Sequence, residues 1–345
     1  MKYMRVWGHT AALLVAGGLA FYGGCEALAP ILPQVGPIDV GEFDISQVWD
    51  CNLPILPEIR FDNLSADAPD TGTPFNTQRA TIVLIHGANP YAKAMGCGAY
   101  AWPDTLARAI QPVVGDAANI MVCRFDGAAV GEAPTVRPRL PYIAQDLADF
   151  LVASGLDHDL QLISHSAGSI VAQEVVRLLG YVEQVTLLDF AEESGGSLLA
   201  EWDDFVASVG YLENYWAPGR YGTGSDLRAA DNVSNVMILS NFTNGSYLLV
   251  HFVPVIWYQE TSRVPEAVGG FRWSLVGGTH EFAGTDFIEF QGFMFARPRD
   301  GSMSELVDDR HPAVQEVRAA AAEGRLTADT ASQVASELGL TYVAP

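Results

Sequence analysis

From Ala80 onward, short and continuously apolar runs alternate with longer amphipathic ones. Thr81 to His86 (TIVLIH), Asn119 to Phe125 (NIMVCRF), Leu160 to Ile163 and Val185 to Leu188 (VTLL) have the length and continuity of strands buried on both faces. Between them lie Trp102 to Ile110, Leu140 to Ala153 and Gly168 to Leu179. Their apolar residues fall at three- and four-residue spacing, as in Ile143, Leu147, Phe150 and Leu151, or Ile170, Val171, Val175 and Leu178. That spacing predicts helices laying one face on a sheet. The alternation implies an α/β fold, a mostly parallel sheet with helices on both faces. After Asp189 the rhythm loosens, with strand-like stretches at Ser208 to Trp216 and Val233 to Leu239 among Gly-rich loops. The Ala- and Glu-rich tail, His311 to Leu340, predicts two helices around Gly324.

The flanks divide the chain into an N-terminal leader (1–25), a tether with peripheral strands (26–75), the α/β domain (76–300) and a C-terminal helical extension (301–345). In the leader, Lys2 and Arg5 precede an apolar run from Thr10 to Tyr22, too short and too Gly-rich for a comfortable membrane span. It reads as a signal peptide, so the protein is expected to be exported. The run ends in Gly23-Gly24-Cys25, where a lipoprotein signal places the Cys that receives lipid and attaches the protein to a membrane. Plain secretion by cleavage near Ala27-Leu28-Ala29 and an ordinary transmembrane anchor stay open beside it. The tether is rich in Pro, Asp and Asn, with apolar pieces such as Ile59-Arg60-Phe61.

Composition narrows the function. At 49% hydrophobic and 17% charged the chain is globular, and 19 basic against 41 acidic residues give a formal charge of −22. Nucleic acid is excluded as a partner, because binding phosphates needs clustered Lys and Arg. An exported chain can oxidise cysteine pairs; lipidation of Cys25 would leave Cys51, Cys97 and Cys123, one pair and one free thiol, with the pairing open. No Cys/His cluster has metal-ligand spacing, so no metal and no cofactor is expected.

The candidate chemistry lies at Leu162 to Gly168 (LISHSAG), a strand running through small residues around a Ser into a helix. In such a nucleophile elbow the turn is so tight that the positions two before and two after the Ser must be small, here Ser164 and Gly168. Ser166 is the candidate nucleophile. Upstream, TIVLI ends in His86-Gly87, so the backbone N–H groups of Ala88 and Ala167 are the candidate oxyanion hole. His86 itself reads as a structural residue fixing that loop. The candidate acid is Asp189, at the C-terminal end of the next strand (VTLLDFA), with Glu213 as runner-up and Asp226 and Asp231 behind it. The base must follow the acid, which leaves His251, His280 and His311. His251, within LLVHFVPVIWYQET, is expected on a loop over the sheet edge, and His280 in GGTHEFAG is the runner-up.

The HG pair, SHSAG, LLDFA, and NYW followed by HxxPVxWY together resemble the α/β-hydrolases, and within them lipases related to pancreatic lipase and its bacterial relatives. The resemblance covers Ala80 to Thr261, with Ser164 in place of the family's first elbow Gly and Phe190 in place of a Pro after the acid. It implies hydrolysis of a carboxylic ester, commonly of a lipid, through an acyl-enzyme and without a cofactor. Two other readings keep the fold: an acyltransferase, and a non-catalytic surface binding protein.

Overall fold

The structure, a computed structural model, describes residues 49–50, 59–88, 99–126, 139–191, 202–217, 224–238, 247–264, 267, 269–276, 283–290, 293–297, 299, 319, 323, 327–337 and 340–343. The leader, Cys25, Cys51, Cys97, His280, His311 and Gly324 lie outside the described residues.

The strands are β1 (Trp49–Asp50), β2 (Arg60–Asn63), β3 (Ala80–Ile85), β4 (Ala99–Tyr100), β5 (Ala118–Arg124), β6 (Leu160–His165), β7 (Val182–Leu188), β8 (Val209–Trp216), β9 (Val233–Ile238), β10 (Asp286–Phe290), β11 (Phe293–Arg297) and β12 (Thr341–Val343). The helices are α1 (Trp102–Val114), α2 (Leu140–Ser154), α3 (Gly168–Leu179), α4 (Trp202–Ala207), α5 (Tyr247–Arg263) and α6 (Ala328–Glu337). β1 and β4 pair with each other, and the remaining strands form one sheet in the order β12-β11-β10-β9-β8-β7-β6-β3-β5-β2. From β5 through β10 neighbouring strands run parallel, while β2 and β11 are antiparallel to the strands beside them.

The four apolar runs that open the regular region are four adjacent strands of this sheet, β7, β6, β3 and β5, and their side chains are buried on both faces. On one face Ile82, Leu84, Ile120, Val122 and Ile163 pack under α1 and α5. On the other, Val83, Ile85, Met121, Leu162, Val185 and Leu187 pack under α2, α3 and α4. Helices therefore cover both faces, which satisfies strands with no polar side. The chain leaves β3 outward to β5 and returns across it to β6, so the order reverses between β3 and β6. In open α/β sheets, ligands gather at the C-terminal strand ends beside such a switch point. This is the architecture of the α/β-hydrolase fold, and the switch point brings His86-Gly87 next to Ser166.

Polar residues hide parts of the sheet from a hydrophobicity pattern. β6 continues through Ser164 and His165, and β7 begins at Val182 because Gln184 is fully buried, donating to Glu213 at 2.8 Å. The C-terminal stretch, expected to be helical, contributes α6 and then β12, which joins the sheet beside β11. Among the described residues, no helix is long and apolar enough to cross a membrane.

Candidate active site

The turn after β6 is held by backbone bonds to its neighbours. The Ser166 N–H donates to the Leu188 carbonyl at 3.2 Å, and the Ser166 carbonyl accepts from the Ser169 N–H at 3.0 Å and the Ser169 hydroxyl at 2.6 Å. Ser166 has φ 55, a left-handed conformation that an L-residue keeps only when its surroundings impose it. Packing imposes it here. A Cβ on Gly87 would stand 2.7 Å from Ser166 Cβ, and one on Gly168 would stand 2.7 Å from the carbonyl oxygens of Ile85 and His86. The His-Gly loop and the elbow thus press backbone to backbone. Ser164, in the position usually held by Gly, fits because its small side chain turns its hydroxyl to the Thr186 carbonyl at 3.4 Å.

His86 is locked in one tautomer. Its Nε2 accepts the Phe125 N–H at 3.3 Å, so Nδ1 carries the proton and donates to the Gly87 carbonyl at 2.9 Å. The ring lies stacked on Phe125, 3.9 Å away. Burial pushes its pKa down to about 4, which keeps it neutral. Because the peptide is planar, a Gly87 carbonyl held toward His86 directs the Ala88 N–H the opposite way. His86 therefore fixes the loop, as its place in the sequence suggested. Ala167 caps α3 directly after Ser166, at the positive end of the helix dipole.

Asp189 ends β7 on the adjoining strand. It too has φ 45, its N–H donates to the Tyr215 carbonyl at 2.7 Å, and it is completely buried. Its Oδ2 lies 2.5 Å from His251 Nδ1 and its Oδ1 accepts the Gly224 N–H at 3.1 Å. A Cβ on Gly224 would sit 2.8 Å from that oxygen, so the loop approaches only because residue 224 has no side chain. With Nδ1 donating to a carboxylate, neutral His251 carries its lone pair on Nε2.

His251 is the fifth residue of α5, not a loop residue as its sequence suggested. The helix is apolar all round, with Phe252, Val253, Val255, Ile256, Trp257 and Tyr258 all buried over the sheet, so no amphipathic stripe marks it. The ring of His165 lies 4.4 Å from that of His251, and its Nε2 is 3.0 Å from the His251 carbonyl. The residue beside Ser166 thus contacts the residue bonded to Asp189, and Ser166 and Asp189 follow the C-terminal ends of the adjacent strands β6 and β7.

The alternative acids lie elsewhere. Glu213 is in the middle of β8, fully buried, and accepts from Gln184 at 2.8 Å and from the Thr186 hydroxyl at 3.1 Å. Burial pushes its pKa up to about 8 against the pull of hydrogen bonds from Thr186, Tyr215 and Gln184, so it is held protonated at neutral pH. Asp226 accepts from Trp216 Nε1 at 2.9 Å and pairs with Arg297. Sequence reasoning missed Gly224 and His165. The signal for His165 was present, a His inside the elbow itself; Gly224 stood only as one glycine of a Gly-rich loop. Among the described residues, no group of three His, Cys, Asp or Glu side chains could hold a metal ion.

No family model matches the chain, and no curated protein matches it. Solved structures with a similar fold include RedJ, a thioesterase from the prodiginine biosynthetic pathway in Streptomyces coelicolor, at 14% identity and TM-score 0.28, covering 56% of this chain and 91% of that one. Cfl2 from Burkholderia cenocepacia is similar at 15% identity and TM-score 0.34, covering 59% and 90%. An esterase domain of a Rhodothermus marinus protein is similar at 15% identity and TM-score 0.36, covering 59% and 95%. At scores of this size the likeness carries no inference about substrate or mechanism.

Proposed function

We propose that the protein is a serine hydrolase of carboxylic esters, with Ser166 as nucleophile, His251 as base and Asp189 as the acid that orients it. The observation that carries this reading is the hydrogen bond from His251 Nδ1 to the buried Asp189, formed beside a strained elbow serine. In the proposed cycle His251 Nε2 takes the Ser166 proton as Oγ attacks the ester carbonyl. The tetrahedral oxyanion is held by the N–H groups of Ala88 and Ala167, each such donor being worth about 3 kcal/mol of transition-state stabilisation. The imidazolium returns its proton to the departing alkoxide, leaving an acyl-Ser166. Water, deprotonated by the same imidazole, then attacks the acyl carbon, and the imidazolium returns that proton to Ser166 Oγ as the acyl–Oγ bond breaks and the acid leaves.

The test is Ser166→Ala, assayed on a short-chain ester and for labelling by a fluorophosphonate. The expected result is a turnover loss on the order of 10^4 or more, with labelling of the wild type mapped to Ser166 and absent from the variant. Retained hydrolysis in the variant, or a folded wild type that does not label, would falsify the reading; the second outcome would leave a binding protein. Product analysis with added alcohol separates hydrolysis from acyl transfer.

Export belongs to the same proposal and is supported by Lys2, Arg5 and the apolar run ending at Cys25. Mass spectrometry of the mature N-terminus is expected to find a lipidated Cys25 or a cleaved leader; an intact N-terminus would remove the export claim.

A further inference from the structure

The imidazole of His165 is a polar group at the site for which acyl-enzyme chemistry has no use. It is fully buried, stacks on Phe252 with centroids 4.7 Å apart, meets the edge of Trp102 at 6.0 Å and stands 4.4 Å from the His251 ring. Its Nε2 lies 3.0 Å from the His251 carbonyl oxygen. A carbonyl can only accept, so Nε2 bears the proton and donates. Burial, reinforced by the neighbouring His251, keeps the ring from taking up a second proton.

The helix that carries His251 has reason to need such an anchor. Pro254 lies inside α5 and has no N–H to give to the carbonyl four residues earlier, at Val250. The ladder therefore lacks a rung at the turn that presents His251. A side chain placed by the rigid end of β6 reaches across to that turn and bonds the backbone of the base residue itself.

We propose that His165 is a positioning residue: its Nε2–H bond to the His251 carbonyl ties the helix bearing the base to the elbow bearing the nucleophile. The inference rests on the reading of Ser166, Asp189 and His251 as a triad. Among the described residues, Asp189 at the end of β7 and His165 at the end of β6 face His251 as ionisable groups. A His suits position 165 because one flat ring both stacks on Phe252 and extends a donor, while staying uncharged beside a base that becomes cationic in each turnover. Phe would keep the stacking and lose the donor; Gln would keep a donor at nearly the same reach.

The experiment compares His165→Phe and His165→Gln with wild type. It measures kcat and KM on a short-chain nitrophenyl ester from pH 5 to 9, with the rate of fluorophosphonate labelling at Ser166. His165→Phe is expected to lose kcat and labelling rate by roughly 10- to 30-fold with KM within about twofold, the size expected for one lost hydrogen bond in a preorganised site. His165→Gln recovers to within about threefold of wild type, the donor being restored. Equal rates in both variants, whether wild-type or equally slow, overturn the proposal. A wild type that does not label at Ser166 overturns the triad reading and this inference with it. Should His165→Phe fail to fold, nitrogen NMR of the wild type decides: a neutral Nε2–H tautomer at His165 supports the proposal and an Nδ1–H tautomer sinks it.

Discussion

Asp189 has almost no freedom. One carboxylate oxygen meets His251, the other meets the Gly224 N–H, its own N–H is bonded to Tyr215, and its backbone sits at positive φ. Asp189→Asn should keep the shape while removing the charge that stabilises an imidazolium, and an amide donor in place of Oδ2 would turn the His251 tautomer around. Steady-state kinetics should find kcat lower by about 10^3- to 10^4-fold with KM little changed. Glu213→Gln, the matched change in the runner-up acid, should leave kcat within about threefold, because its partners are Gln184 and Thr186. Gly224→Ala probes the same carboxylate from the other side. Its new methyl would fall 2.7 Å from Trp216 Cβ and 2.8 Å from Asp189 Oδ1, so the acid must shift, and kcat should fall by about 10- to 100-fold in the same assay. At this scale the residues proposed as a triad could be named from order along the chain, and strand ends place Ser166 and Asp189, whereas His251 lies inside α5 and not on the expected loop. The interior place of Glu213 was legible too: Tyr211, Glu213 and Tyr215 share one face of β8 at period two, which puts Glu213 inside a strand and under a helix. Gly224 was not, since its duty arises from a loop returning to a residue 35 positions earlier.

Among the elements, the reading of the chain succeeded where a helix or strand shows its period and failed where burial erases it. α1, α2 and α3 carry stripes, and Gly168–Leu179 matches its expected limits. α5 does not: apolar residues surround it, and Pro254 in its interior argues against a helix at all. β2 was readable only as a peripheral piece, because it is short and half polar, and ion pairs reinforce its ladder with β5. Asp62 on β2 accepts from Arg124 on β5 at 2.5 Å, Arg124 reaches Asp104 in the first turn of α1 at 2.6 Å, and Arg60 also pairs with Asp62 at 2.6 Å. Arg124 and Asp62 are both buried, so truncating the cation would leave the buried carboxylate with the exposed Arg60 as its remaining charged partner and would remove the partner of Asp104. Arg124→Ala should lower the free energy of unfolding by about 3–5 kcal/mol in chemical denaturation, whereas the exposed pair Arg228–Asp203 should contribute under about 1 kcal/mol.

For the molecule as a whole, three buried groups among the described residues have shifts that bear on stability between about pH 4 and 8. Folding holds Glu213 protonated, with a pKa raised from 4.5 to about 8, so the stability it contributes is complete below pH 4.5 and is lost as pH rises through about 8. Folding holds His86 and His165 neutral, with pKa values depressed from 6.5, to about 4 for His86 and well below 6.5 for His165. Their contribution is complete above pH 6.5 and is lost as pH falls, because the unfolded chain takes up protons that the folded one refuses. Between pH 4.5 and 6.5 the two histidines outweigh the single carboxyl, so stability rises with pH; from 6.5 to 8 only the carboxyl changes, so it falls. These groups therefore place maximum stability near pH 6.5, with an alkaline limb of at most about 1.4 kcal/mol per pH unit, the value for one proton. Glu213→Gln keeps the hydrogen-bonding shape and cannot ionise, so urea midpoints measured from pH 5 to 9 should lose the alkaline limb and keep the acidic one. An alkaline limb of undiminished slope in that variant would mean that a different group, not the carboxyl buried across β7 and β8, governs the response.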